Sequence, residues 1–347
     1  MSTIIRARAP LRLGLAGGGT DVSPFCDIHG GAVLNVTIDR YALASITRLS
    51  SDEVIFRSTD LGKEERLPLL SSYNTAEGLR LHRGVYNRMI KDFNGGHPIP
   101  LCLTTHVESP MGSGLGSSSA LVVAMVEALR ELLRAPLGEY DIARLAFDIE
   151  RKDVGLNGGR QDQYSAAFGG FNFMEFAKDE HVLVNPLRIH SAYSNELEAS
   201  LVLFFTGVSR ESATIIENQT ASISTGGSSL EGMHQLKADA IAMKEQLLRG
   251  NIHGLAEVLT HSWEAKKKTS SAVSTPKIER IYDLALGSGA MAGKVSGAGG
   301  GGFMMFIVDP ERRAEVIAKL GAEGEGQVQT CGFTDTGVTA WRTQRPS

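Results

Sequence analysis

The segment Pro110 to Ala120, P-M-G-S-G-L-G-S-S-S-A, constrains this chain more than any other stretch. It stands between a strand pattern at Ile99 to Val107 and a helix pattern at Ser118 to Leu133, so it has to turn the chain from a sheet into a helix. That helix is apolar on every side from Ala120 to Val126, which predicts a buried first half. Gly112, Gly114 and Gly116 allow a tight turn that brings backbone N–H groups to an anion, and the positive end of the helix dipole favours phosphate there. Ser117, Ser118 and Ser119 add hydroxyls in the first turn, while Ser113 and Leu115 separate the glycines. An ordinary capped helix start is the plainer reading, but three alternating glycines and three serines exceed what a cap requires. Neither common nucleotide fingerprint fits. The lysine of a Walker A loop is missing, and the G-x-G-x-G run lies deep in the chain instead of opening a βαβ unit.

Composition generalises the point. Glycine makes up 39 of 347 residues, about 11% against a usual share of about 7%, while proline is scarce at 11 residues. Disorder would raise both, and no G-X-Y period exists, so the glycines in short clusters read as loops built around a ligand. With 42% hydrophobic residues the chain has enough apolar material for two domains. Acidic and basic residues nearly balance, 39 against 35, with no long basic block, which speaks against nucleic-acid or membrane-surface partners. Cys26, Cys102 and Cys331 stand far apart without a C-x-x-C pair, consistent with a reducing cytoplasm. Arg6, Arg8 and Arg12 interrupt the apolar N-terminal stretch, and Ala120 to Val126 is too short to span a bilayer.

Strand patterns occupy Thr3 to Ala7, Ala32 to Ile38, Tyr41 to Arg48 and Glu53 to Ser58, followed by a helix at Leu79 to Phe93. After the glycine-serine loop and its helix, a further helix is expected over Glu139 to Lys152, a glycine-rich connection over residues 155–170, and a strand at Phe171 to Phe176. Beyond a strand at Leu201 to Thr206, residues 220–229 read as a mobile Ser/Thr/Gly loop. Helices follow at Met233 to Leu248, Ile252 to Lys268 and Pro276 to Leu286, then a strand at Phe303 to Val308 and a helix at Pro310 to Leu320. Strands and helices mix without strict alternation, so the expected class is α+β, with domains at residues 1–185 and 186–347.

Two more glycine clusters and two carboxylates complete the picture. In Arg8 to Asp21 (R-A-P-L-R-L-G-L-A-G-G-G-T-D), a sharp turn at Gly18 and Gly19 displays Thr20 and Asp21. Asp21 has the chemistry to accept hydrogen bonds from substrate hydroxyls, and Arg12 to neutralise phosphate charge; turn former and surface charge are the plainer alternatives. In Lys294 to Phe303 (K-V-S-G-A-G-G-G-G-F), five glycines between 297 and 302, Gly299 and Gly300 among them, predict close approach of the backbone to another group, a hinge being the alternative. Glu150 ends a predicted helix and Asp162 lies in Gly158 to Gln163. One carboxylate suits Mg²⁺ and the other suits orienting or deprotonating an attacking hydroxyl, although a lone helix-terminal Glu is usually solvated.

Taken in this order, the three motifs resemble the GHMP kinase family, named for galactokinase, homoserine kinase, mevalonate kinase and phosphomevalonate kinase. The resemblance covers almost the whole chain. It implies a two-domain fold with an N-terminal ATP-binding domain, a ferredoxin-like C-terminal domain and an active site in the cleft between them. It further implies ATP phosphates over Gly112 to Ser118, Mg²⁺ held by Ser118 and Glu150, Asp162 facing the substrate hydroxyl, and Arg12 near the transferred phosphoryl group. Galactokinases carry G-E-H-T-D where this chain has Gly17 to Asp21 (G-G-G-T-D), so the Glu-His pair is absent and direct galactose recognition is in doubt.

The stretch A-G-G-G-T-D, followed by Gly30 to Tyr41, looks instead like the bacterial D-glycero-D-manno-heptose 7-phosphate kinases, as do Thr206 to Ser212 and Lys294 to Phe303. That likeness implies phosphorylation of the anomeric C1 hydroxyl on the way to GDP-heptose for capsule or other surface polysaccharides. A fucokinase-like sugar kinase and a non-catalytic relative remain alternatives. A phosphorylated substrate calls for cations at its far end; Arg160 and Arg210 are the preferred candidates, ahead of Lys266 to Lys268, which read as a solvated helix end. The expected partners are ATP with Mg²⁺ and a small sugar phosphate, with homodimer assembly left open.

Overall fold

The computed structural model describes residues 3–208, 212–224 and 227–344. In chain order the first part runs β1 (Thr3–Ala16), α1 (Phe25–His29), β2 (Gly31–Arg48), β3 (Glu53–Ser58), β4 (Lys63–Pro68), α2 (Arg80–Phe93), β5 (Leu101–Val107), α3 (Ser117–Leu133), α4 (Glu139–Asp148), a π turn (Ile149–Asp153), α5 (Gln161–Phe168), β6 (Phe171–Phe176) and β7 (Val182–Pro186). The remainder runs α6 (Ser191–Ser200), β8 (Leu201–Phe205), α7 (Ser212–Ser224), α8 (Ser228–Leu248), α9 (Ile252–Thr269), α10 (Pro276–Gly287), β9 (Ala290–Val295), β10 (Phe303–Val308), α11 (Arg313–Gly321), β11 (Gln327–Gln329) and β12 (Thr339–Gln344).

Two sheets carry the α+β class. The first has eight strands, with a main path β12-β1-β2-β5-β3-β4 and a branch in which β2 also pairs β6, and β6 pairs β7. The branch arises because β2 is 18 residues long: Gly31 to Val36 pairs β6 and Ala42 to Arg48 pairs β5. All ladders are antiparallel except β3 with β5. The second sheet has the order β11-β8-β10-β9, which is 4-1-3-2 when its strands are numbered along the chain. With helices after the first and third of these strands, this is the ferredoxin-like arrangement.

Side-chain pattern explains which faces meet. Ile5, Ala7 and Ala9 point inward while Arg6 and Arg8 point out, the period-two pattern of a half-covered strand. From Ala9 to Ala16 both faces of β1 are buried, because α8 and α9 of the second part pack on the strand as well as α3 and α5 of the first. Helix α3 is buried along Ala120 to Leu129, as its all-apolar surface requires, and forms the spine of the larger core. The second core gathers Trp263, Ile281, Phe204 and Phe306 between β8, β9, β10 and the helices on them. A small third cluster, Phe25, Met233, Leu236 and Ala265, joins α1 to α8 and α9.

Several local expectations shift. β1 extends to Ala16 and β2 is continuous from Gly31 to Arg48, since backbone pairing carries the strands through positions whose alternation is lost by burial on both faces. The glycine-rich stretch 155–170 contains α5, and the Ser/Thr/Gly stretch expected to be a loop is instead covered by α7 up to Ser224 and α8 from Ser228. Thr339–Gln344 returns to the first sheet beside β1, so the last strand does not stay with the second sheet.

Candidate active site

The loop after β5 reaches α3 through three glycines, each in the left-handed region: Gly112 at φ 73°, Gly114 at φ 82° and Gly116 at φ 76°. This alternation needs glycine, and it leaves the N-terminus of α3 facing a cavity of about 500 Å³. The serines divide their tasks. Ser109, Ser113 and Ser117 hydrogen-bond one another inside the loop, Oγ to Oγ at 2.9 and 3.2 Å, and stiffen it. Ser118 and Ser119 reach across to Glu150.

Glu150 lies in the π turn that replaces the last turn of the expected Glu139–Lys152 helix. The π turn draws its side chain inward, to 1% exposure, instead of leaving it solvated at a helix end. Oε1 accepts from Ser118 Oγ and Oε2 from Ser119 Oγ, both at 2.7 Å, and Gln163 Nε2 also donates to Oε2 at 2.7 Å. Arg151 adds an ion pair at 3.3 Å. A hydroxyl and a carboxylate side by side at the mouth of a phosphate-type loop are hard oxygen donors of the kind Mg²⁺ takes when most of its shell comes from phosphates and water. Ser118 and Glu150 thus fit that ion.

Asp162 sits in the first turn of α5. Its Oδ1 accepts from Arg12 Nε at 2.8 Å and forms an ion pair with Nη2 at 2.6 Å. Arg12 also donates from Nη1 to Gly114 O at 2.5 Å, and its backbone N–H donates to Leu115 O at 3.0 Å. One arginine therefore ties β1, the glycine-serine loop and α5 into a single unit.

The third glycine cluster backs this loop. Phe303 N donates to Ser113 O at 2.9 Å and Ser296 Oγ to Gly114 O at 2.9 Å. A Cβ on Gly297 would stand 2.8 Å from Gly114 Cα, and one on Gly302 would stand 2.4 Å from Ser113 O. The expected close approach is therefore backbone against backbone. Gly297 and Ala298 line the cavity, whereas Gly299 packs on Val273 and Gly300 N donates to Val273 O, so the last two, expected at the substrate, do not line it.

The first cluster departs further from expectation. Gly18 and Gly19 border the cavity floor and wall. Thr20 is fully buried, its hydroxyl bonded to Gly17 O and Ala32 O and accepting from Ala32 N, so it holds the turn and offers nothing to a ligand. The Asp21 carboxylate accepts from the backbone N–H of Gly19, Arg160 and Gln161 and from Gln161 Nε2, which engages its four acceptor sites. It welds the first turn to the start of α5. Arg160 turns away from the cavity, with Nη2 on Ser23 Oγ and Asp27 Oδ1, both at 2.9 Å, and Nη1 on Ala177 O. Arg210 lies outside the described residues.

Residues 80–170 match the GHMP kinases N terminal domain and residues 243–326 the GHMP kinases C terminal. A D-glycero-alpha-D-manno-heptose 7-phosphate kinase from Campylobacter jejuni is 47% identical over 338 residues, spanning 97% of this chain and 99% of that relative. The chain belongs to the GHMP kinase family. A solved D-glycero-D-manno-heptose 1-phosphate kinase from Bacteroides thetaiotaomicron superposes on this GHMP kinase with TM-score 0.84 at 42% identity, covering 98% and 100% of the two chains. A mevalonate kinase structure at 20% identity and TM-score 0.77 shares the fold. Family membership makes the protein a phosphotransferase.

Two cations of this GHMP kinase stand differently from expectation: Lys266, ranked behind the arginines as part of a solvated helix end, and Lys294, noted only as the first residue of the third glycine cluster. Lys266 is buried and donates to Gly18 O at 2.9 Å; burial pushes its ammonium down to about 8, with the Asp21 charge opposing. Lys294 donates to Leu15 O at 3.0 Å, at the irregularity where β1 loses register with β2. Burial, then the charges of Lys266 and Arg12, push Lys294 down to about 7 against the pull of Asp239. The signal for Lys266 was available: it follows Leu255, Leu259 and Trp263 at spacings of four, four and three, on the buried stripe of α9.

Proposed function

We propose that this GHMP kinase transfers the γ-phosphoryl group of ATP to the anomeric C1 hydroxyl of D-glycero-D-manno-heptose 7-phosphate, giving the 1,7-bisphosphate. The reading rests on the near full-length 47% identity to a heptose 7-phosphate kinase, together with one cavity that joins the phosphate-type loop, Glu150 and Asp162. Residues 1–185 supply the loop, Glu150 and the Arg12–Asp162 pair. Residues 186–347 supply Lys266, Lys294 and the glycine run behind the loop.

The backbone N–H groups of residues 112–118 and the dipole of α3 receive the ATP phosphates. Ser118 and Glu150 hold Mg²⁺, which when bound neutralises charge on those phosphates. Arg12 occupies Oδ1 of Asp162, which leaves Oδ2 to orient the C1 hydroxyl for in-line attack. As the new O–P bond forms, the bond from phosphorus to the ADP oxygen breaks and the hydroxyl proton passes to Asp162. Because the transition state is loose, positioning carries more of the rate than proton abstraction, and Asp162 need not be a strong base.

The product feeds GDP-heptose and surface or capsule polysaccharide. No helix among the described residues is long and apolar enough to cross a membrane. The near balance of charge supports an enzyme that works without nucleic acid or a membrane surface, and the isolated cysteines support a cytoplasmic one. Phosphorus NMR of a reaction of ATP with heptose 7-phosphate tests the assignment. A new anomeric phosphate signal supports it, and its absence with intact, folded enzyme sinks it.

A further inference from the structure

Among the described residues, Lys266 is a buried cation that forms no ion pair. Its ammonium carries three donors, of which Gly18 O takes one at 2.9 Å. The carboxylate whose charge acts on it is Asp21, and the acceptor sites of Asp21 are already engaged by Gly19, Arg160 and Gln161. The adjacent lysine behaves differently: Lys267 pairs with Glu264 at 2.8 Å and with Glu279 at 3.6 Å. A buried charge lacking a partner is costly, and such costs persist where a ligand completes the pair.

Beside it lies an acceptor that a water, and not an anion, can satisfy. Gln161 is 8% exposed and its Oε1 has no partner among the described residues. Gln161, Lys266, Lys294 and Arg12 line a chamber of about 20 Å³ under the cavity floor. That volume holds one water and is too small for phosphate, so an anion meets Lys266 from the large cavity, which Lys266 also lines. The approach is clear because Gly19 has no side chain: a Cβ there would stand 3.1 Å from Lys266 Nζ.

We propose that Lys266 receives the phosphate group that the sugar already carries, and so sets the preference of this enzyme for phosphorylated over neutral sugars. The inference rests on the heptose 7-phosphate reading above. Lys294 and Arg12 reinforce the positive field from behind. The transferred phosphoryl group of ATP has the same chemistry, but it belongs with Gly114 and Arg12, whereas Lys266 stands against Gly18 and Gly19 of the first turn.

The test compares wild type, K266M and K266R by calorimetric titration with heptose 7-phosphate and with heptose, each without nucleotide, and by steady-state kinetics in ATP. In K266M the Kd for heptose 7-phosphate rises about tenfold or more, while the Kd for heptose and the KM for ATP change less than about twofold; K266R retains part of the affinity. The melting temperature of ligand-free K266M stays level or rises, because an unmatched buried charge is gone. Unchanged affinity for heptose 7-phosphate in K266M overturns the proposal. Equal losses for both sugars overturn it in favour of a tether for Gly18, and a rise in the ATP KM with unchanged sugar binding overturns it in favour of the transferred group. Wild type that ignores heptose 7-phosphate but turns over another sugar phosphate, with K266M selectively weakened on it, sinks the heptose reading and keeps the inference.

Discussion

Arg12 holds Asp162 by a single carboxylate oxygen: Nε at 2.8 Å and Nη2 at 2.6 Å both address Oδ1. The arrangement fixes the orientation of the acid while sparing its second oxygen. Asp162→Asn keeps the shape and removes the charge, so kcat is expected to fall about 10²–10⁴-fold with little change in the ATP KM, while the unfolding midpoint falls because buried Arg12 loses its counter-charge. Steady-state kinetics beside a denaturation curve check this, and near-normal turnover would remove Asp162 from the mechanism.

Glu150 collects hydrogen bonds from Ser118, Ser119 and Gln163. Glu150→Gln preserves size but replaces one acceptor oxygen by a donor and removes the charge a divalent ion needs. The Mg²⁺ concentration for half-maximal activity is expected to rise about tenfold or more. A Mg²⁺ titration at saturating ATP decides the point; an unmoved midpoint counts against the metal role.

Gly114 and Gly297 touch through their backbones, and a Cβ on Gly114 would stand 2.3 Å from Ser296 O. Gly114→Ala and Gly297→Ala each force the loop and the third glycine run apart. Both positions also hold positive φ, so strain adds to the clash. The expected result is an ATP KM raised about tenfold or more together with a stability loss of about 1–3 kcal/mol. Gly62→Ala, where a Cβ meets nothing, is the control for φ strain alone. Equal behaviour of all three variants would refute the close-contact account.

Lys266, buried, and Lys294, half-buried, couple stability to pH. Lys294 at about 7 and Lys266 at about 8 lie below the usual 10.5, so above these values the unfolded chain binds more protons than the folded enzyme. Stability of the ligand-free enzyme therefore rises with pH, each lysine adding up to about 1.4 kcal/mol per pH unit. The window closes near pH 9, because burial holds the Cys26 and Cys331 thiols at about 12 and their unfolded forms then ionise from 9.0, which opposes the trend. Affinity for heptose 7-phosphate runs the other way and falls as pH climbs through about 8. Urea unfolding across pH 7–9 on wild type and on Lys294→Met measures the slope, which is expected to be shallower in the variant.

Much of the site was legible because backbone chemistry writes itself in glycine. The alternating positive φ values at Gly112, Gly114 and Gly116 need that residue, so the loop could be read from spacing alone. Side-chain direction was harder. Thr20, Asp21 and Arg160 have the chemistry to bind a sugar phosphate, yet their partners are Ala32, Gln161 and Asp27, contacts that cross up to 140 positions of sequence. Glu150 was recognised by type, but its burial depends on a π turn that a helical period cannot register. Lys266 was grouped in a lysine trio that reads as a solvated helix end, although only Lys268 is exposed.

The pairing of Thr339–Gln344 with Thr3–Arg8 has a bearing on synthesis. Strand β1 of the first sheet is synthesised before the whole second sheet, and β12, which seals its edge, after it. Until that final strand arrives, β1 presents an unpaired edge on which a neighbouring nascent chain can dock. The kinase can thus complete its nucleotide-facing half only after translation of almost every other residue, and truncation before Thr339 is expected to cost soluble yield well before it touches any atom of the active site.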